Sequence, residues 1–476
     1  MSLVVPFEEI FANETGILAK HDSWERVELG KVCTILNGFP FKSSLFNRSE
    51  GFPVIRIRDI ANSATETFYN GDFPPEYVVK KGDLLIGMDG NFRCCEWRGS
   101  DAALNQRVCK ITPDEEILHR RFLLYGLNGY LKTIEDVTSS VTVGHLSSRD
   151  VQRIPFPLPP LGEQRRVVAK LKKLLGKVDA CQQRLAKIPV LLKRFRQSVL
   201  AAACAGRLTA GWREEHDNGE SSVQLLRSFD AKPLAEGGDD VPETWSWGKF
   251  GELVTNHDGQ RIPVKQSDRD KRSGPYPYYG AFGVIDDIDE YLYDGDYLLL
   301  AEDGKNLESR LRPISLIASG KFWVNNHAHV LQAKGGIPLR FLNAWLNSPT
   351  LDLSPFLTGI DQVKLNRAAM DRIPVPIAPF PEQQEIVRRV EALFALADQI
   401  EARYAKAKAY VEKLTPSLLA RAFRGELVPQ DPNDEPASVL LERIKQQRNG
   451  TKENNHYGKA KTKRTNSSRN RRSASR

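Results

Sequence analysis

Residues 154–209 read IPFPLPPLGEQRRVVAKLKKLLGKVDACQQRLAKIPVLLKRFRQSVLAAACAGRLT, and residues 373–428 read IPVPIAPFPEQQEIVRRVEALFALADQIEARYAKAKAYVEKLTPSLLARAFRGELV. The second stretch follows the first at a constant offset of 219, without a gap. Matched pairs include Pro155/Pro374, Pro157/Pro376, Pro160/Pro379, Glu163/Glu382, Gln164/Gln383, Asp179/Asp398, Arg184/Arg403, Ser198/Ser417, Gly206/Gly425 and Leu208/Leu427. An internal repeat of this kind means one supersecondary unit used twice. The echo continues upstream, where Trp24, Gly30, Thr34 and Gly38 return as Trp245, Gly251, Thr255 and Gly259. KKGDLLIGMDG returns as YDGDYLLLAEDG, and Arg121-Phe122-Leu123 with Leu127-Asn128 as Arg340-Phe341-Leu342 with Leu346-Asn347. Each half is therefore a diverged globular segment followed by a better preserved helical one.

Both helical segments carry a heptad stripe. In the first copy apolar side chains fall at Leu171, Leu174, Val178, Cys181, Leu185, Ile188, Leu192, Phe195 and Val199. In the second they fall at Val390, Leu393, Ala397, Ile400, Tyr404, Ala407, Val411, Leu414 and Leu418. Steps alternating three and four make a continuous seam. Two such seams in one chain predict a mutual antiparallel coiled coil, although each stripe would also serve its own domain's core. The Pro-rich strips IPFPLPP and IPVPIAPFP hold the backbone extended before each helix. Gly206 and Gly425 suit left-handed caps after them. About forty helical residues at ~1.5 Å rise would span roughly 60 Å, with Pro189 and Pro416 expected to kink or break the rods.

The globular halves mix short β-rich runs (FPVIRIRDI, YLLLAE, SLIASGKFWV) with turns and a short helical stretch near Arg121–Leu131, an α+β pattern. The boundaries read from the sequence are 1–153 and 245–372 for the globular domains, and 154–209 for the central helical spacer. A polar linker with one small helix covers 210–244, the second spacer and final helix 373–444, and a basic tail expected to be disordered 445–476.

At 476 residues, 41% of them hydrophobic, the chain has enough apolar material for more than one core. The formal net charge of +8 is misleading, because residues 445–476 hold eleven Lys/Arg against one Glu, leaving the rest at −2. Within 154–207, however, twelve Lys/Arg face two Asp/Glu, a stripe suited to phosphates or to a solvated face. No run of eighteen apolar residues or basic-then-apolar leader is present, so neither membrane insertion nor secretion is expected and the cytoplasm is the expected compartment. Six cysteines without a C-x-x-C pair read as buried reduced thiols, and no metal site is expected. Catalytic signatures are missing: Gly320-Lys321 lacks the rest of a phosphate loop, and no G-x-S-x-G or Gly-rich dinucleotide turn appears. Asp303-Gly304-Lys305 reads as a charged turn, and His327-Ala328-His329 as one strand face, rather than as metal sites. A non-catalytic recognition subunit is the leading reading. A pure assembly scaffold and an enzyme with an unrecognised site are the alternatives.

The ordered double set of Pro157–Gln164 (PLPPLGEQ) and Pro376–Gln383 (PIAPFPEQ), helix ends ACAGRL and AFRGEL, the openings Trp24–Gly38 and Trp245–Gly259, Arg56–Ile60, and Leu427–Ile444 resembles the specificity (S) subunits of Type I restriction–modification systems. The basic tail and Pro189 depart from that pattern. The resemblance implies two target recognition domains, each reading half of a split site in double-stranded DNA, separated by two long helices packed as an antiparallel coiled coil with an internal pseudo-two-fold repeat. It implies no cofactor in this chain. The partners would be two modification (adenine methyltransferase) subunits using S-adenosylmethionine and restriction/translocase subunits using ATP and Mg. Polar and basic residues in turns are the candidate base readers: Lys42, Arg56, Arg58, Asn91, Arg93, Gln106 and Arg107 in the first domain. In the second they are Arg261, Lys305, Asn306, Arg310, His327, Gln362 and Lys364. Arg and Asn/Gln pair bidentately with guanine and adenine edges, and each of these residues also suits an ordinary solvated surface. Arg56 and Arg58 are expected to share one strand face.

Overall fold

A computed structural model describes residues 7–11, 16–138, 145–216, 221–234, 241–359, 362–443 and 445–446. The tail beyond residue 446 lies outside the described residues. The chain forms two compact units, Met1–Gln183 with Lys408–Arg476, and Arg184–Ala407.

In the first unit, β1 (Glu25–Glu28) pairs antiparallel with the Pro-rich strip, residues Pro155–Leu158. Proline tolerates such a two-stranded edge because it needs no ladder N–H there. The main sheet is antiparallel in the order β2-β5-β3-β4: β2 (Cys33–Asn37), β3 (Leu84–Gly87), β4 (Cys94–Glu96) and β5 (Val108–Pro113). Leu84, Ile86, Cys94, Cys109 and Ile111 turn one face of it toward α1 (Arg120–Thr138). This helix is longer than the Arg121–Leu131 stretch expected. The first long helix, α2 (Leu161–Leu185), begins at the Glu-Gln pair.

The second unit repeats the plan. Ser246–Lys249 pairs with Pro374–Ile377. A four-stranded antiparallel sheet runs in the order β6-β9-β7-β8: β6 (Val254–Asn256), β7 (Tyr297–Ala301), β8 (Ser315–Ala318) and β9 (Ala328–Ala333). The two sheet orders correspond strand for strand. Here the helices are α3 (Ile188–Cys204), the shorter α4 (Leu339–Leu346) and the first part of α5 (Phe380–Phe423).

The Glu-Gln pairs explain why the motif recurs. Trp24 donates its indole N–H to Glu163 at 3.1 Å, and Trp245 donates to Glu382 at 2.9 Å. Both carboxylates are buried, and each takes a second partner from the segment after the other helix. Gln430 donates to Glu163, while Thr209 (2.6 Å) and Arg213 donate to Glu382. Gln164 donates Nε2 to the Ile117 and Pro159 carbonyls and accepts from the His119 N–H at 2.7 Å. Gln383 donates to the Ala378 carbonyl, but its buried Oε1 has no partner among the described residues. The residue at the position of His119 is Pro338, which has no N–H to offer.

In unit 2 the helices run antiparallel: Arg196 meets Asp398 and Glu401, both at 2.7 Å, while Arg389 reaches back to the Leu208 carbonyl at 2.8 Å. In unit 1, Arg166 clasps Asp434 through two bonds of 3.2 and 2.8 Å. Along the expected seam Leu171, Val178, Leu192 and Val390 are buried, and Leu174, Leu185, Leu393, Tyr404 and Leu414 are half-buried. Ile400 and Cys181 depart from the expectation, being exposed. The stripe also serves the domain cores, since Val167, Val168 and Leu171 share one cluster with Phe122, Phe156 and Phe423. The two prolines behave differently. Pro189 lies in the first turn of α3 after a break at residues 186–187, whereas Pro416 lies inside the continuous α5. Gly206 and Gly425 adopt φ of 68° and 74°, the left-handed ends expected of them.

Volume is redistributed between the copies. Gly126 lies against Phe423, whose ring stacks on Phe122 at 4.8 Å; a Cβ at Gly126 would come within 2.3 Å of the Phe423 ring. At the equivalent positions unit 2 carries Trp345 and Cys204, both in its core.

Candidate nucleic-acid interface

In unit 1, β3 leaves the sheet through Met88-Asp89-Gly90-Asn91. Gly90 supplies the φ of +72° that the turn requires, and the Gly87 N–H closes it on the Arg93 carbonyl at 3.2 Å. Asn91 and Arg93 are exposed on this turn. Gln106 and Arg107 sit, also exposed, where the chain enters β5. Arg107 lies 3.3 Å from the Asp89 carboxylate. Asp89 also takes a short hydrogen bond from His145, a residue missing from the sequence-derived set.

Lys42 is exposed on a separate turn, preceding Ser43–Leu45. Arg56 and Arg58 correct an expectation, because they do not share a strand face. The strand ends at Ile55, and residues 57–59 form a single 3-10 turn. The Arg56 N–H donates to Asp59 at 2.9 Å, while the Arg58 guanidinium stays exposed, 3.7 Å from Asp59. A carboxylate three residues on outcompetes strand continuation by capping the free N–H.

In unit 2 the corresponding turn is Asp303-Gly304, with Gly304 at φ +112°. Lys305 is exposed beside it, and so are Gln362 and Lys364 on the segment that bridges back to Asp303. His327 hydrogen-bonds Asp303 at 2.7 Å and is exposed. Three predicted readers make hydrogen bonds within the fold. Asn306 closes its own loop, donating to the Arg312 carbonyl at 3.0 Å and accepting the Arg312 N–H at 2.9 Å. Arg310, at φ 48°, donates to the Leu351 and Leu346 carbonyls at 2.6 and 2.5 Å, and burial lowers its pKa. Arg261 is only 14% exposed; it donates to Glu302 and to the Ala328 carbonyl, both at 2.7 Å.

Arg261 belongs to a buried polar cluster. Ligand-type atoms of Asp258, Glu302 and His329 lie within 4.8 Å of one another, and the Arg261 guanidinium supplies the countercharge. His329 Nδ1 donates to Asp258 at 2.6 Å and Nε2 to the Leu365 carbonyl at 2.8 Å. Two acceptors require both ring nitrogens to be protonated. Burial opposes the charged form of each partner, but the hydrogen bond and charge between them prevail. The His329 pKa is raised, and that of Asp258 is held down at about 2. His327 and His329, two residues apart, thus serve separate carboxylates.

The two turns share one backbone frame. Met88 N–H donates to the Arg107 carbonyl at 3.1 Å, and Leu146 N–H to the Met88 carbonyl at 2.8 Å. In unit 2, Glu302 N–H donates to the His327 carbonyl at 2.9 Å, and Leu365 N–H to the Glu302 carbonyl at 2.8 Å. Isolated bridges join Asp89 to His145 and Asp303 to Lys364. Next along the chain, Ser147 and Asn366 each cap a short helix with their side chains. The repeat offset already placed His145 opposite Lys364 in the sequence; the partner Asp89 became visible only once three separate segments converged.

The family described as the Type I restriction modification DNA specificity domain matches residues 21–190 and 242–408. The chain is 38% identical to the Type I restriction enzyme EcoBI specificity subunit of Escherichia coli, over 93% of this chain and 96% of that one. It is 32% identical to the EcoDI specificity subunit, also of Escherichia coli, over 89% and 95%. Among solved structures, a chain of a type I R-M system shares the fold with a TM-score of 0.59 at 18% identity, covering 86% of this chain and 99% of that one. With both copies of the domain matched and near full-length relatives, this chain belongs to the specificity subunits of Type I restriction–modification systems.

Proposed function

We propose that the chain reads a bipartite target in double-stranded DNA, residues 1–153 reading one half-site and 245–372 the other. The spacers 154–209 and 373–444, joined through the linker 210–244, fix the unread interval, and the basic tail 445–476 extends beyond them. Two modification subunits dock on this scaffold and methylate adenine with S-adenosylmethionine, and restriction/translocase subunits add ATP- and Mg-dependent cleavage. The chain itself performs no chemistry and works in the cytoplasm; no helix among the described residues is long and apolar enough to cross a membrane.

The observation that carries this reading is the duplicated frame: one strand order, one Trp–Glu clasp and one acid-centred turn, each occurring twice. A duplicated reader suits a duplex whose half-sites, about one helical turn or roughly 34 Å apart, present the same face. Co-expression with a modification subunit in a host lacking adenine methylation, followed by genome-wide mapping of modified adenines, tests it. A single bipartite motif, changed in one half when residues 245–372 are exchanged, is the expected result. A stable complex without methylation would favour a protein-binding scaffold.

A further inference from the structure

Among the features the globular halves share is the frame around Asp89 and Asp303. There the same two backbone hydrogen bonds hold three segments together, the same acid occupies the turn, and the flanking basic residues differ: Arg107 and His145 in one unit, His327 and Lys364 in the other. These groups are not the remains of a core. Arg107, His145 and His327 keep 54%, 43% and 49% of their side-chain surface exposed. In unit 1, Arg107 and His145 line a cleft of about 280 Å³ with Asn37, Gln106, Ser147, Ser148 and the apolar Met88. Asp89 and Asp303 are half-buried but their basic partners are largely exposed, and ion pairs with such partners contribute little to stability. A constant frame with exchangeable donors is what base reading requires, because the frame fixes distance and the donors choose the base.

We infer that the Asp89 and Asp303 turns are the base-reading centres of the two halves, each Asp acting as a positioning residue that holds its basic neighbours for major-groove contact. Arg107 offers the planar fork that fits guanine O6 and N7. His327, with Nδ1 on Asp303, offers its second ring nitrogen and Lys364 a point-like ammonium, so the second half-site is read by a different pattern of groups on the same scaffold. This rests on the DNA-reading function proposed above and assigns it to particular atoms.

The test uses the full chain in complex with its modification subunit. Asp89→Asn, Asp303→Asn, Arg107→Gln and His327→Gln variants are compared by methylation mapping and by competition between the cognate duplex and duplexes altered in one half-site. Asp89→Asn and Arg107→Gln should relax only one half of the motif, and Asp303→Asn and His327→Gln only the other. Discrimination in the affected half should fall about ten- to a hundredfold, and Asp89→Glu should recover part of it. A loss of packing would lower the melting midpoint of the complex and weaken binding to the cognate duplex without changing which bases are preferred, so melting and the altered motif together separate positioning from folding; the two Gln variants alter exposed side chains and provide the readout should the Asn variants fail to fold. A wild-type bipartite motif left unchanged by all four variants would overturn the assignment while leaving the DNA-reading function intact. No wild-type motif at all would overturn both.

Discussion

At the junction between α1 and the end of α5, unit 1 pairs a glycine with a phenylalanine; unit 2 meets the same need with a tryptophan and a cysteine. Gly126 leaves the hollow that Phe423 fills, whereas the corresponding positions of unit 2 hold a large Trp345 and a small Cys204, both in that unit's core. The helix ends are otherwise alike, Ala203 and Ala422 both being fully buried. The two cores therefore place the large side chain on opposite partners, on the late helix end in unit 1 and on the domain helix in unit 2. Burial drives the Cys204 thiol up to about 12, so it behaves as a small apolar side chain.

The largest effect expected from this comparison is at Phe423. Phe423→Ala should cost about 3–5 kcal/mol, read as a fall in the denaturation midpoint, and Cys204→Ala far less. Overpacking by Gly126→Trp should be relieved by a simultaneous Phe423→Cys, a coupling that a double-mutant cycle measures; simple additivity would refute volume exchange. The clasps come next. Arg213→Met leaves Glu382, 1% exposed, with Trp245 and Thr209 but no countercharge, and should cost about 3 kcal/mol. Unit 1 offers the contrast: Gln430→Met removes only a neutral partner from Glu163 and should cost less.

The buried pair in unit 2, His329 with Asp258, predicts a pH dependence. Because the pKa of His329 is raised in the folded chain, its contribution is fully present below its ordinary range near 6.5, and is lost as pH rises through the folded value. Asp258 is held down at about 2, so its contribution is present above the ordinary 3.8 and fades as pH falls toward 2. On the order of 2 kcal/mol should vary in this way, and melting followed from pH 3 to 9 should show stability highest between the two limits. His329→Gln should flatten the alkaline arm; an unchanged profile would remove the pair from the account.

The smallest effect separates the two glutamines. Gln164→Leu gives up three hydrogen bonds and Gln383→Leu one, so the first should be the more costly by about 1–2 kcal/mol. Equal losses would mean that the Pro338 position imposes no deficit on unit 2.

The repeat made the architecture legible, because Pro-rich strips, heptad stripes and terminal glycines are local signals with fixed spacing. The fates of Pro189 and Pro416 were not local. The same residue type breaks one helix and is accommodated in the other, which depends on how the rest of each helix is held. Ser221–Arg227 and Pro436–Glu442 also repeat one another, but so loosely that the first read as linker; Leu226 and Leu440 enter the two domain cores. Among the candidate readers, Arg107, His327 and Lys364 proved to flank the turn acids, whereas Arg261, Asn306 and Arg310 were committed to loops and a buried network. Sequence cannot separate these groups, because an arginine that satisfies carbonyls and one that faces solvent have the same composition signal. The deciding contacts are made by residues dozens of positions away.

The exchange of volume between Gly126/Phe423 and Trp345/Cys204 also bears on how the chain avoids assembling incorrectly as it is made. The first domain, α2 and α3 emerge from the ribosome well before residue 423, so the end of α3 is the earliest such surface offered to the Gly126 hollow. Cys204 is too small to fill that hollow, and the site stays open for its proper occupant. In the reverse mistake, Phe423 would meet Trp345 and find no space. The two halves thus differ in size at helix ends that are otherwise alike.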